Sequence, residues 1–211
     1  MRRGEPRRRR TESLGWGVLA LLVSTLTIAC GTSPAPSHTA ASTRTDVIPV
    51  QNGAERFLPL KDATVFTYIA WLPESPTPEQ LILQVSRPTP QRADLRSGSS
   101  VKRLEYVADD GVRLLTGGYL LKEPLVLGAE WAGPAGVVRV SRVDFDLRVA
   151  AGHFVGCLET TESQARAGAE RSIVTTYCPD VGIVTFSVDD GERQERFELK
   201  TFGPRVDVNS L

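Results

Sequence analysis

Histidine is nearly missing from this 211-residue chain: His38 and His153 are the only two, beside one methionine and three cysteines, Cys30, Cys157 and Cys178. Scarcity of imidazole removes the commonest general base and metal ligand. There is no Gly-x-Ser-x-Gly elbow, no metal-spaced histidine pair and no glycine-rich phosphate loop opening a helix. The motif-borne routes to hydrolysis, metal chemistry and nucleotide binding are therefore absent. Neither catalytic residues nor a cofactor are expected, and a hydrolase is the most distant reading. No charge surplus is visible either, since 25 basic residues balance 25 acidic ones. Long apolar runs are also lacking, the longest covering residues 18–28, whereas a membrane span takes roughly 20 apolar residues.

What is present begins at the N-terminus. Six arginines, Arg2, Arg3 and Arg7 to Arg10, precede LGWGVLALLVSTLTIAC at residues 14–30. A basic start, a short apolar run and a small residue before the cut form the pattern of a secretory signal peptide. The arginines hold the cytoplasmic side, so everything beyond is exported. The run Leu26-Thr27-Ile28-Ala29-Cys30 resembles the lipobox of bacterial lipoproteins, which implies a diacylglyceryl thioether on Cys30 and acylation, with palmitate for example, of the new N-terminus. An ordinary signal or an uncleaved single anchor is the alternative, and each places the folded part outside the cytoplasm. Gly31 follows Cys30, and by the sorting behaviour of such lipoproteins in two-membrane bacteria the absence of Asp there implies the outer membrane facing the periplasm; the outer face of the cytoplasmic membrane is the other location.

Export changes the charge. Six of the 25 basic residues and two of the 25 acidic ones precede Cys30, leaving 19 against 23 and a mature charge of about −4. A slightly acidic domain argues against nucleic acid as a partner, because phosphate binding needs a basic patch. The expected organisation is a signal peptide at residues 1–29, a lipidated tether at 30–55, a folded domain at 56–205 and a tail at 206–211. The tether, rich in Ser, Thr, Pro and Ala, offers little apolar surface to bury and is expected to be disordered. His38, alone within it, reads as a bystander and not as a metal ligand.

From Phe57 the chain becomes a series of short apolar runs punctuated by Gly, Pro and Asp. That spacing predicts a mainly β domain: one antiparallel sheet, as a curved sheet, half-barrel or sandwich. Asp109-Asp110-Gly111 and Asp189-Asp190-Gly191 predict tight hairpins. Val143, Phe145, Leu147 and Val149 alternate with Arg142, Asp144, Asp146 and Arg148, which predicts a strand with one core face and one solvated charge ladder. The Asp144 and Asp146 carboxylates could hold a cation or share acid and base work, but the flanking arginines favour the ladder. Residues 112–128 are the most apolar stretch of the mature chain, and Gly117-Gly118 within it suggests a bent strand beside a cavity.

Several landmarks recur in order: Phe57-Leu58-Pro59-Leu60-Lys61 before Thr64-Val65-Phe66-Thr67-Tyr68, Glu123-Pro124-Leu125 before Leu127-Gly128-Ala129-Glu130-Trp131, Ala151-Gly152-His153-Phe154 with Cys157-Leu158, and Tyr177-Cys178-Pro179-Asp180-Val181-Gly182-Ile183-Val184. Over residues 57–202 they resemble a widespread family of uncharacterised exported bacterial proteins, often lipoproteins, which implies a β-rich fold. Cys178 and Asp180 depart from that pattern, where Ala and Gly are usual.

An oxidising compartment favours a disulfide between Cys157 and Cys178. Pairing them across antiparallel strands puts Leu158 opposite Tyr177 and Thr160 opposite Thr175, both sensible neighbours. The connecting loop is then expected at residues 163–172. Two buried free thiols are the alternative. With His153 at a turn, a surface position is expected for it. The resulting expectation is a membrane-anchored envelope module that binds a protein or lipid partner, with a periplasmic lipid or acyl-chain carrier as the alternative.

Overall fold

The computed structural model describes residues 53–166 and 169–205; Cys30, His38 and the expected signal peptide lie outside the described residues. A one-turn helix, α1 (Gly53–Phe57), precedes twelve strands: β1 (Thr64–Trp71), β2 (Glu79–Thr89), β3 (Arg92–Ser97), β4 (Ser100–Val107), β5 (Gly111–Leu114), β6 (Tyr119–Lys122), β7 (Glu130–Ala132), β8 (Val137–Val149), β9 (Gly152–Arg166), β10 (Ala169–Cys178), β11 (Gly182–Asp189) and β12 (Gln194–Pro204). They form one antiparallel sheet in the order β6-β5-β4-β3-β2-β1-β12-β11-β10-β9-β8-β7. Pairing of β1 with β12 joins the first and last strands, and the sheet curls into a nearly closed barrel whose end strands, β6 and β7, are not paired with each other. A curved single sheet is thus the outcome, and a sandwich is not.

The barrel interior follows from period-two alternation. Phe66, Tyr68 and Ala70 in β1, Ala93 and Leu95 in β3, Leu104 and Tyr106 in β4, and Phe197 and Leu199 in β12 are buried on one side of the sheet. Each such aliphatic or aromatic side chain removed from water contributes about 1.5–3 kcal/mol. Rings fill the centre: Phe186 stacks on Phe197 at 4.1 Å and meets the Tyr68 ring edge-on at 5.7 Å. The Tyr68 hydroxyl donates to the carbonyl of Ile183 at 2.8 Å.

Connections in an antiparallel sheet alternate between the two ends, so α1 and the 123–129 connection share one mouth of the barrel with the β4–β5, β8–β9 and β10–β11 turns. Residues 53–60 lie across that mouth. Ala54, Leu58 and Leu60 are buried there. Tyr106 donates its hydroxyl to the Leu58 carbonyl at 2.7 Å on one side, and Asp180 donates its N–H to the Arg56 carbonyl at 2.8 Å on the other. Arg87 clamps the segment: its guanidinium reaches Glu55 and the Pro90 carbonyl, each at 2.5 Å, bonds the Pro59 carbonyl, and lies 4.1 Å over the Tyr106 ring.

Three expectations require correction. Val143 does not share the core face of β8; Val138 and Val140 are buried, then Asp144 at φ +53° and successive register shifts change the phase, so that Phe145, Leu147 and Val149 are half-buried while Val143 is exposed. A bulge inserts a residue and flips every side chain beyond it. Residues 163–172 are not a loop, because Ser163 pairs with Ser172 and the ladder continues to Arg166 opposite Ala169. Gly117-Gly118 does not bend one long strand but turns between β5 and β6, where Leu114 N–H donates to the Gly118 carbonyl at 3.0 Å.

In β9 and β10, Leu158 stands opposite Tyr177 and Thr160 opposite Thr175. Cys157 and Cys178 are disulfide-bonded, 4.3 Å apart at Cα. The far end of the β8–β9 hairpin reaches past β10 and β11 to β12, where Ala151 N–H donates to the Leu199 carbonyl at 3.1 Å and Phe154 lies 6.3 Å from Phe202.

Candidate binding groove at the sheet seam

The break between β6 and β7 is lined rather than sealed. Tyr119, Lys122, Glu123, Pro124, Ala129, Glu130, Trp131 and Ala132 surround a groove of about 250 Å³. Across it no backbone ladder forms; instead the Trp131 indole N–H donates to the Tyr119 carbonyl at 3.0 Å. One side chain therefore takes the place of a strand-to-strand bond. Nearer the β5–β6 turn the seam is tight. Gly118, at φ +81°, is so close to Gly133 and Pro134 that a Cβ there would lie 2.4 Å from their backbone, which only glycine avoids.

Polar side chains fix the rim. Asp110 accepts the Tyr119 hydroxyl and lies 3.7 Å from the Lys122 ammonium, which in turn sits 5.0 Å from the Tyr119 ring centre. The hydrogen bond to Asp110, ahead of partial burial, raises the Tyr119 phenol above its ordinary pKa. Glu123 points toward the chain entry: its Oε1 accepts the Ala54 N–H at 2.5 Å. Glu130 and Arg139, 3.8 Å apart and both well exposed, are a weak surface pair. The wall continues into residues 124–127, where Val126 and Leu127 are 55% and 64% exposed. An aromatic floor, an ammonium and two carboxylates suit recognition of an extended, partly apolar segment.

A second pocket, of about 230 Å³, lies by the start of β1 among Asp62, Thr64, Gln84, Ser86 and Arg205.

His153 lines neither pocket. It stands opposite Arg148, with Nε2 3.4 Å from Asp146 on an exposed hairpin. Asp144 lies in the β8 bulge and, like Arg142, Asp146 and Arg148, is exposed, so the four form the solvated charged face expected of this strand. Among the described residues no group of three or more His, Cys, Asp or Glu is placed to hold a metal ion. Asp190 works as a turn former, accepting the N–H groups of Arg193 at 2.8 Å and Glu192 at 3.1 Å; these bonds lower its pKa. Cys157 and Cys178 are bonded to each other, which leaves no thiolate there to act as nucleophile. Tyr119, Lys122 and Glu123 were not recognisable as a site from sequence, yet the Glu123-Pro124-Leu125 and Leu127-to-Trp131 landmarks form two of its walls.

No family model matches the chain, and no curated protein matches it. Among solved structures, a candidate lipoprotein from Parabacteroides distasonis aligns with TM-score 0.46 and 11% identity over 72% of this chain and 100% of that one. A candidate exported protein with a YmcC-like fold from Bacteroides fragilis aligns with TM-score 0.46 and 10% identity over 70% and 98%. Likenesses of this order bear on neither ligand nor partner.

Proposed function

We propose that this chain is a lipid-anchored protein of the bacterial cell envelope, tethered through Cys30, that works as a non-enzymatic binding or assembly module. The observation that carries the binding role is the seam groove: β6 and β7, the two end strands of the sheet order, form no ladder with each other, and the groove between them lies beside an exposed apolar loop. Unpaired strand edges are the places where proteins add a partner's extended segment. The N-terminal pattern of arginines, apolar run and Cys30 supports export and anchoring, and the Cys157–Cys178 disulfide accords with an oxidising compartment.

A photo-crosslinking residue placed at Ala132, in the groove, tests the role in intact cells. One discrete adduct, lost when Tyr119 and Trp131 are both replaced by alanine but retained when the probe-bearing chain carries Ile82→Ala on the outer wall, is expected. Adducts that form equally in both variants, or none at all, would remove the groove from the account.

A further inference from the structure

We infer that the mouth of the barrel carrying α1 and residues 124–127 faces the bilayer, with Val126 and Leu127 inserted at the lipid surface. This rests on the anchored reading above. Among the described residues, Leu127, Val155 and Val126 are the three most exposed large hydrophobic residues, at 64%, 61% and 55%. The connection bearing Leu127 and Val126 lies at the α1 end, and Val155 sits on β9 near the turn at that same end. The chain also enters the domain there, since Glu123, next to Pro124, grips the Ala54 N–H. Residues 31–52 separate Cys30 from Gly53, and at roughly 3.4 Å each they hold the domain within about 75 Å of the anchor. Tethering raises the effective concentration of lipid at this mouth, so a short apolar loop is enough to bias orientation.

The charges around the mouth are mixed and largely paired with each other, as in Arg56 with Asp180 and Lys122 with Asp110. Attraction to anionic lipid is therefore not what orients it, and neutral phosphatidylcholine is the fitting surface. The contact is expected to survive high salt, unlike one built on screened surface charge.

The test uses the protein purified from membranes with its native N-terminus, reconstituted in phosphatidylcholine vesicles with brominated acyl chains. Leu127→Trp and, as a control on the outer wall, Ile82→Trp each add one indole, read by difference from the parent. Quenching several-fold stronger at 127 than at 82, unchanged in 0.5 M salt (about 4 Å screening length), is expected. Equal quenching at the two sites, or none at 127, overturns the orientation. Protection of 127 that appears only in native envelope membranes and not in these protein-free vesicles also overturns it, in favour of a protein partner. If mass analysis finds Cys30 unmodified, the anchored reading fails by itself; coupling Cys30 to a maleimide-headgroup lipid then restores the tether, and the same comparison of 127 with 82 decides the orientation.

Discussion

The indole N–H of Trp131 donates to the main-chain carbonyl of Tyr119 across a gap that no backbone bond closes. This side chain thus supplies a hydrogen bond across the seam, and Trp131→Phe keeps an aromatic ring but deletes the donor. A loss of about 1 kcal/mol is expected, with faster amide exchange in β6 and β7 than in the other strands. Unchanged denaturant midpoint and exchange would show that the seam is held elsewhere.

Arg87 is the clamp on the segment that crosses the mouth. Its side chain and that of Glu55 are only 15% and 18% exposed, so removing the guanidinium breaks a half-buried network rather than a surface pair. Arg87→Ala is expected to cost about 3 kcal/mol in urea unfolding. Arg87→Lys is expected to recover little of it, because an ammonium cannot span the Glu55, Pro59 and Pro90 oxygens while stacking on Tyr106. Full recovery by lysine would refute the fork geometry as the source of the stability.

The disulfide closes a separation of 21 residues. In the chain-entropy account that is worth roughly 3 kcal/mol. Alkylation without reductant is expected to leave Cys157 and Cys178 unlabelled, and the double alanine variant to unfold at correspondingly lower urea. Labelling of both thiols in protein taken from cells would break the link between this pair and an oxidising compartment.

Alkaline pH is expected to unfold the domain cooperatively. Burial raises the phenols of Tyr68, Tyr106 and Tyr177 well above the ordinary value of 10.0. A group whose folded pKa is raised contributes stability that is fully present below its unfolded pKa and lost as pH climbs toward the folded one. Stability should therefore hold up to about pH 10 and fall above it. Phenolate absorbance beyond that of the one rim tyrosine, Tyr119, should rise together with loss of the β circular dichroism signal; more than one phenolate per chain ahead of unfolding would mean that the buried hydroxyls are open to solvent.

Much of the sheet could be read from residue spacing, and the failures have local causes. Asp-Gly marked the β4–β5 and β11–β12 turns, and the cross-strand test with Leu158 and Thr160 placed β9 against β10 correctly. β3 was invisible because Ala93 and Leu95 are its only apolar side chains, flanked by Arg92, Asp94 and Arg96; its neighbours β2 and β4 make it a strand. β7, at three residues, is too short to show a period. The phase change in β8 is hidden because Asp144, at positive φ, reads in sequence as one more polar position of a regular alternation. The groove was the least legible feature: Tyr119 and Trp131 meet only because β1 pairs with β12 and brings the two ends of the sheet together.

The proposed anchor turns on one chemical event at Cys30, thioether formation followed by acylation. Metabolic labelling with a palmitate analogue, comparing the natural chain with Cys30→Ala, tests it. Label in the natural chain and none in the variant is expected; label that persists in Cys30→Ala, or is missing from both, would contradict a lipid anchor at this cysteine.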